Sequence, residues 1–163
     1  MRIKAGLIAV LFIAFSSSVS LYSQLSFNDA LAKAKSEDKM IIVDVYTDWC
    51  GWCKKMDAEV YGNSDIKKIV EDHFIFVKLD AESSGSITYN GKKYTGESLA
   101  AYFEATGFPT TVFLEPDGKL IEFKYDTYKM KNIPGYFKAD DFKKILNYFK
   151  DGKYKDSDLS KVV

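Results

Sequence analysis

Blocks of apolar and polar residues alternate along most of the chain, and their spacing predicts helices and strands in turn. Runs that are mostly apolar and β-branched predict strands at Met40–Tyr46, Phe74–Leu79 and Thr110–Glu115. Apolar residues that recur every three or four positions predict helices beginning near Ser26, Cys50, Ser64, Thr95 and Asp140, with Ser26, Ser64 and Thr95 as caps. The helix after Cys50 is expected to run to about Tyr61. Because these helices alternate with strands that look buried, we expect an α/β fold with a parallel strand pair.

Local signals describe the connections between these elements. Asn90-Gly91 separates two short runs of β-type residues and predicts a small hairpin within the polar stretch 82–95. A turn at 116–118 predicts that Lys119–Tyr125 returns as the antiparallel partner of the preceding strand. Residues 126–138 are expected to form an irregular loop.

The two ends of the chain stand apart from this pattern. Residues 1–23 join a basic start to an apolar run of eleven residues, which predicts a cleavable secretory signal. Cleavage is expected after Ser20 or, alternatively, after Ser23, and an uncleaved membrane anchor is the competing interpretation. Residues 24–151 would form one domain and residues 152–163 a loose charged tail. The protein is therefore expected to be exported, to the periplasm or another extracytoplasmic compartment.

The net charge of the chain bears on the kinds of partner that the protein could bind. The 163 residues include 23 basic and 23 acidic side chains, and removal of the predicted signal leaves a slight acidic excess. This balance does not favour binding to nucleic acid or to an anionic membrane surface. The remaining length, about 140 residues, is enough for a single compact domain, which we expect to be a monomer.

Cys50 and Cys53 are the only cysteines of the chain, and two residues separate them. Such a pair is either half of a zinc site or a redox dithiol. With His73 as the sole histidine, a closed zinc site of Cys and His cannot be assembled, and neither a metal nor a cofactor is expected. A purely structural disulfide would close a loop of only two residues and would constrain the unfolded chain very little. Redox chemistry is the favoured interpretation.

The position of the dithiol suggests how its two sulfurs differ. Cys50 follows a predicted strand and begins a predicted helix, where free N–H groups and a partial positive charge favour a thiolate. Cys53 lies one helical turn further on and is expected to be less exposed. Cys50 is therefore predicted to attack a substrate disulfide, and Cys53 to resolve the mixed disulfide.

The chain resembles the thioredoxin superfamily over residues 40–150. The resemblance rests on Asp44 six residues before Cys50 and on four runs: Trp49–Lys54, Phe76–Asp80, Gly107–Thr110 and Asp117–Lys119. It implies a thioredoxin-like fold, with a central mixed sheet of about four strands and helices on both faces.

Further motifs are similar to those of exported bacterial thioredoxin-like proteins, including periplasmic thioredoxins associated with sulfur oxidation. These motifs are Gly51-Trp52, Gly91–Tyr94 and Pro134–Tyr136. Trp52 stands where thioredoxin itself has proline, and the 126–138 segment is longer. Because of these two departures, the resemblance to thioredoxin does not fix the redox potential of this protein or its choice of substrate.

The resemblance also implies roles for residues outside the dithiol. Asp44 would lie beneath the dithiol and accept the proton of Cys53, because a buried carboxyl has a raised pKa. Lys78 on the neighbouring strand could pair with Asp44. The alternatives are that Asp44 is a hydrogen-bonded structural residue and that Lys78 reaches water.

Substrate contacts are implied on both sides of the dithiol. Pro109 is expected to be cis, which would place the backbone of Phe108 beside Cys50 to pair with an extended substrate segment. Trp49, Gly51 and Trp52 surround the nucleophile and could form an apolar rim for a protein or peptide disulfide.

These observations predict a thiol–disulfide oxidoreductase, more specifically a periplasmic reductase of protein disulfides. Gly51-Trp52 offers no positive charge to the Cys50 sulfur, and the Asp44 carboxylate should oppose build-up of a thiolate. A reductant in an oxidising compartment must be recharged, so a membrane-embedded thiol-transfer electron donor is expected. A disulfide oxidase or isomerase of the same fold is the alternative, and a non-catalytic binding module is the rival from another class.

Overall fold

The computed structural model describes residues 25–163, and the predicted signal at 1–23 lies outside them. The helices are α1 (Phe27–Glu37), α2 (Gly51–Met56), α3 (Ser64–His73), α4 (Gly96–Tyr102) and α5 (Ala139–Lys150). The strands are β1 (Met40–Tyr46), β2 (Phe74–Asp80), β3 (Ile87–Tyr89), β4 (Lys92–Tyr94), β5 (Thr110–Leu114), β6 (Phe123–Tyr125), β7 (Tyr128–Met130) and β8 (Ile133–Pro134). Among these described residues, no helix is long and apolar enough to cross a membrane.

The main sheet has the strand order β2-β1-β5-β8. Strand β1 pairs parallel with β2 and antiparallel with β5, and β8 pairs antiparallel with β5. The predicted central mixed sheet of about four strands is confirmed. The parallel pair arises because α2 and α3 cross over between β1 and β2, whereas β5 is reached from the opposite direction.

Helices cover both faces of this sheet, and each face has its own apolar cluster. On one face the buried residues Phe27 and Ala30 of α1 and Leu99 of α4 pack against the strands. On the other face the cluster contains Ile66 of α3 and Phe142 of α5. Side chains of β1 alternate between the two clusters, as a strand buried on both sides requires.

Helix starts follow side-chain caps, with one correction to the prediction. Ser26 accepts the N–H of Asp29, and Thr95 forms a capping box with Ser98, as the sequence suggested. Helix α3 is capped by Asn63 rather than by Ser64. The Asn63 side-chain oxygen accepts two backbone N–H groups, which Ser64 cannot do from inside the first turn.

The helix that follows Cys50 changes from α-helical to π-helical hydrogen bonding after Met56. After Met56 the residues Asp57–Tyr61 form a π-helical turn, where the sequence had predicted one continuous helix to about Tyr61. Such turns occur mostly as single wide turns within α-helices and often lie at functional sites. Here the turn carries Asp57 and Tyr61, two side chains that lie near Asp44 of β1.

The segment that follows β5 differs from the prediction. Lys119–Tyr125 is not a continuous strand beside β5, because it forms a single bridge, Leu114 to Leu120, before it turns away. Its end, β6, pairs instead with β7 in a separate two-stranded sheet. The fourth strand of the main sheet is β8, which lies within residues 126–138, the predicted irregular loop.

The hairpin predicted at Asn90-Gly91 is present between β3 and β4. Both turn residues have positive φ, 50° and 73°, which an Asn-Gly pair adopts at low cost. The hairpin is held to the core by Tyr89, whose buried hydroxyl donates to the carbonyl of Gly118 over 2.9 Å.

Residues 152–163 pack against the domain and do not form the loose tail that was predicted. They contain two short 3₁₀ turns, Lys153–Lys155 and Leu159–Lys161. Tyr154 and Leu159 are buried in the same cluster as α5, and the Tyr154 hydroxyl donates to Glu115 over 2.7 Å. Two apolar side chains anchor an otherwise charged segment, which composition alone does not reveal.

Candidate active site

The dithiol lies where β1 gives way to α2. Cys50 is the N-cap of α2, and Cys50 and Cys53 are joined as a disulfide with an S–S distance of 2.05 Å. The backbone N–H of Cys53 donates to the sulfur of Cys50 over 3.0 Å. A helix start therefore supplies a hydrogen-bond donor to this sulfur, which favours the thiolate once the disulfide is reduced.

The two sulfurs do not differ in exposure in this oxidised form. Cys50 is 4% exposed and Cys53 is 3% exposed, so the lower exposure predicted for Cys53 is not a marked difference here. The difference between them is one of hydrogen bonding, because the Cys50 sulfur accepts the N–H of its partner. Gly51 between them has open space where a Cβ would stand.

Asp44 and Lys78 lie opposite each other on β1 and β2 and form an ion pair, as expected, but Lys78 has a second carboxylate partner. Asp44 is 1% exposed, and one of its oxygens lies 3.4 Å from the ammonium of Lys78. The same ammonium contacts both carboxylate oxygens of Asp57, at 2.6 and 2.7 Å. It also lies 4.5 Å from the centre of the Tyr46 ring. Lys78 is thus shared between two carboxylates and is closer to Asp57.

Burial controls the titration of this cluster. It raises the pKa of Asp44 from 3.8 to about 6, against the attraction of Lys78, and the negative charge of Asp57 raises it further. The pKa of Lys78 is also raised, because the two carboxylates outweigh the opposing effect of burial. A carboxyl with a pKa near neutrality can take and return a proton at physiological pH.

The cis-proline segment contacts the dithiol motif through the rings of Phe108 and Trp49. The Phe108–Pro109 peptide is cis, as the resemblance implied. The Phe108 ring makes an edge-on contact with Trp49, with ring centres 6.1 Å apart. The carbonyl of Pro109 accepts the N–H of Gly135 over 2.8 Å, which ties this segment to the region after β8.

Two exposed tryptophans flank the dithiol, and each has a fixed neighbour. Trp49 is 68% exposed and donates its indole N–H to Glu82 over 2.9 Å. Trp52 is 57% exposed and packs against Tyr136, with ring centres 5.4 Å apart. Lys55 lies 5.1 Å from both of these ring centres. Two aromatic pairs, which we call the aromatic walls, therefore lie at the motif: Trp49 with Phe108 and Trp52 with Tyr136.

Several residues of this site were missed by the sequence interpretation: Asp57, Tyr61, Glu82 and Tyr136. Each contacts a predicted residue from a segment remote in the chain. An acidic or aromatic residue on a predicted helix or loop carries no local sign of such a contact. Within residues 25–163, no group of three or more His, Cys, Asp or Glu side chains could hold a metal ion.

Fold and site together define a thioredoxin-fold protein with a Cys-x-x-Cys pair at the start of a helix. The family model described as a thioredoxin-like domain matches residues 27–150. The chain belongs to that family, and the resemblance inferred from its motifs is confirmed.

Curated relatives cover parts of the chain. The disulfide bond reductase DsbH of Chlamydia pneumoniae is 30% identical over 95 residues, which are 58% of this chain and 57% of that protein. The protein disulfide-isomerase of Ricinus communis is 28% identical over 122 residues, which are 75% of this chain and 22% of that protein. The chain thus spans little more than half of the first relative and under a quarter of the second.

Solved structures share the fold. A thioredoxin-fold protein from Helicobacter pylori matches with a TM-score of 0.62 at 21% identity, covering 77% of this chain and 80% of that one. A structure of a DsbH oxidoreductase matches with a TM-score of 0.55 at 24% identity, covering 88% of this chain and 92% of that one. At these identities the two matches bear on fold alone.

Proposed function

We propose that this protein is an exported reductase of protein disulfides. The observation that carries the proposal is the Cys50–Cys53 pair at the start of α2, where the Cys53 N–H supports the Cys50 sulfur. The direction of electron flow is inferred from the surroundings of the dithiol. Gly51 and Trp52 offer no cation to the Cys50 sulfur, unlike the surroundings expected of a strong oxidant.

The proposed reaction begins with the reduced dithiol. The thiolate of Cys50 attacks one sulfur of a substrate disulfide, forms a mixed disulfide and releases the other substrate sulfur as a thiolate. Asp44 then takes the proton of the Cys53 thiol. The resulting Cys53 thiolate attacks the Cys50 sulfur and releases the second substrate sulfur as a thiolate, which takes a proton back from Asp44 or from water. Two electrons have moved to the substrate, and the Cys50–Cys53 disulfide remains.

The proposed substrate is an extended protein or peptide segment. The aromatic walls at Trp49 and Trp52 would hold it on both sides, and the backbone of Phe108 ahead of the cis Pro109 would pair with it. Exposed aromatic side chains of this size are typical of surfaces that bind a partner.

Export and recharging complete the proposal. Residues 1–23 have the pattern of a secretory signal, so the mature protein would act outside the cytoplasm, in the periplasm. A reductant there needs electrons from across the membrane, so we propose a membrane-embedded thiol-transfer donor. A thiol:disulfide interchange protein, DsbD of Pseudomonas fluorescens, is among the relatives, at 24% identity over 115 residues.

The test uses residues 24–163 in an insulin reduction assay with dithiothreitol. Wild type should accelerate the reduction, Cys50→Ser should abolish the acceleration, and Cys53→Ser should accumulate the mixed disulfide. A Cys50→Ser variant as fast as wild type would indicate a binding scaffold instead.

Equilibration with glutathione buffers then measures the reduction potential. We expect a value between about −270 mV and about −150 mV, on the reducing side of the range that dithiols of this fold cover. A potential above about −150 mV would overturn the reductase assignment in favour of an oxidase.

A further inference from the structure

The hydroxyl of Tyr61 is buried beside Asp44, and neither group completes its hydrogen bonds. Tyr61 is 2% exposed, and its oxygen has no hydrogen-bond partner. One oxygen of Asp44, Oδ1, is likewise buried without a partner. Buried polar atoms in native proteins are nearly always paired, so two unpaired oxygens in one place call for an explanation.

Core packing fixes the ring of Tyr61 in this position. The ring makes edge-on contacts with Phe76 and Phe142, with centres 4.7 and 5.5 Å apart. Its hydroxyl is directed toward Asp44 and Thr111, which are paired with each other across β1 and β5. The aromatic contacts hold the ring, while the C–O bond leaves the hydroxyl hydrogen free to rotate.

The hydroxyl already affects the titration of Asp44. Burial raises the pKa of Asp44 and Lys78 lowers it, and the Tyr61 hydroxyl acts in the same direction as Lys78. Conversely, burial and then the charge of Asp44 raise the pKa of Tyr61 well above its ordinary value. Tyr61 is therefore a donor that keeps its own proton throughout the working pH range.

The other groups around Asp44 leave one of its two carboxylate oxygens, Oδ1, without a donor. Lys78 approaches from β2 but lies closer to Asp57, which faces Asp44 from the same π-helical turn as Tyr61. From β5 the neighbour is Thr111, which does not titrate. An ionised Asp44 thus has one shared ammonium on Oδ2 and an unpaired Oδ1.

We propose that Tyr61 is a positioning residue for proton transfer at Asp44, its hydroxyl donating to the carboxylate when Asp44 is ionised and losing that bond when Asp44 is protonated. The inference rests on the proposed role of Asp44 as proton acceptor. During resolution the S–H bond of Cys53 breaks, its electron pair stays on sulfur, and the proton forms an O–H bond on Asp44. Tyr61 keeps its own O–H bond and orients the acceptor.

The test compares Tyr61→Phe with a matched control, Tyr148→Phe. Tyr148 is an equally buried tyrosine whose hydroxyl donates to the carbonyl of Ser157, remote from the dithiol. The carboxyl ¹³C chemical shift of Asp44 is followed against pH in the reduced protein. Tyr61→Phe should raise the midpoint by about one pH unit, because it removes a donor to the charged form. Tyr148→Phe should leave the midpoint unchanged.

Turnover supplies a second readout that a merely structural tyrosine would not move. The acidic limb of the resolution rate should shift upward with the Asp44 midpoint in Tyr61→Phe, with the plateau rate retained. An unchanged midpoint in Tyr61→Phe would overturn the role of Tyr61. Unchanged resolution rates in Asp44→Asn would instead remove Asp44 as the acceptor, so the two failures are distinguishable.

Discussion

Strand β1 is buried on both faces, yet the two faces differ in kind. Toward α1 and α4 it presents Ile41, Val43 and Val45, which belong to one continuous apolar cluster. On the opposite face Ile42 joins the second cluster, and two residues further on Asp44 meets Lys78. One strand thus supports a wholly apolar core on one side and a buried charged cluster on the other.

The contrast shows where stability and function diverge. Apolar burial contributes about 25 cal/mol per Å² and needs no polar partner, so the side that faces α1 stabilises the fold. Burying a carboxylate is costly unless it is fully paired, and Asp44 retains one unpaired oxygen. A costly group with a strongly shifted pKa, six residues before a dithiol, is typical of a functional site.

The largest expected effect comes from placing a carboxylate on the apolar face. Val43→Asp would bury a charge with no cation among its neighbours, because the cluster around Val43 is apolar. We expect a loss of about 4 kcal/mol in the free energy of unfolding. Urea unfolding at pH 8 measures it, with Val43→Asn as the uncharged control. A loss as small as that of Val43→Asn would show that the two faces tolerate charge equally.

The second prediction removes the charge from the polar face. The pKa of Asp44 rises from 3.8 to about 6 on folding, so the folded protein holds this proton more tightly than the unfolded chain. Stability therefore falls as the pH rises from about 4 to about 6, by on the order of 3 kcal/mol, and the penalty persists above pH 6. Asp44→Asn should remove that penalty.

The measurement is the difference in free energy of unfolding between Asp44→Asn and wild type at pH 4 and at pH 8. The variant should be the more stable protein at pH 8, by a few kcal/mol at most, and should have no such advantage at pH 4. The same variant should resolve mixed disulfides more slowly. A pH-independent difference would mean that Asp44 is not the group that titrates.

The two faces also differ in how far the sequence predicts them. The apolar face follows from the alternation of residues within β1, which is local, and the predicted bounds Met40–Tyr46 agree with the structure. The polar face depends on contacts between remote segments. Lys78 pairs with Asp57, which lies in the π-helical turn, and helix propensity does not distinguish such a turn from a continuous helix.

The same limit explains the errors at the sheet edge and at the end of the chain. Strand β8 has two residues, too few for any periodicity, and its partner is set by tertiary packing. Lys119–Tyr125 has good strand composition, but composition does not choose between β5 and β7 as partner. Single buried side chains, Tyr154 and Leu159, hold the final segment.

A third, smaller effect should come from Asp57. Asp57→Asn removes a negative charge near Asp44 and releases Lys78 to pair with it more closely, so the pKa of Asp44 should fall by roughly one pH unit. The acidic limb of the resolution rate should move downward with it. Asp65→Asn is the control, because its pair with Lys143 lies at the surface and far from Asp44 in the fold. Equal titration of Asp44 in both variants would contradict the shared-lysine arrangement.

The smallest expected effect comes from Glu82. It tests whether a polar contact influences stability strongly only when it is buried, as Asp44 is. Glu82 also partners a residue of the site, since it accepts the indole N–H of Trp49, but both side chains are exposed to water. Glu82→Gln keeps an acceptor for that N–H, and Glu82→Ala removes it. Both should change the free energy of unfolding by less than about 0.5 kcal/mol, because water replaces the lost partner. Glu82→Ala alone should raise the KM for a peptide disulfide modestly, by freeing the Trp49 wall to rotate. If Glu82→Ala changed the free energy of unfolding as much as the substitutions at Val43 or Asp44, the exposed hydrogen bond between Trp49 and Glu82 would matter as much for stability as the burial of the β1 side chains.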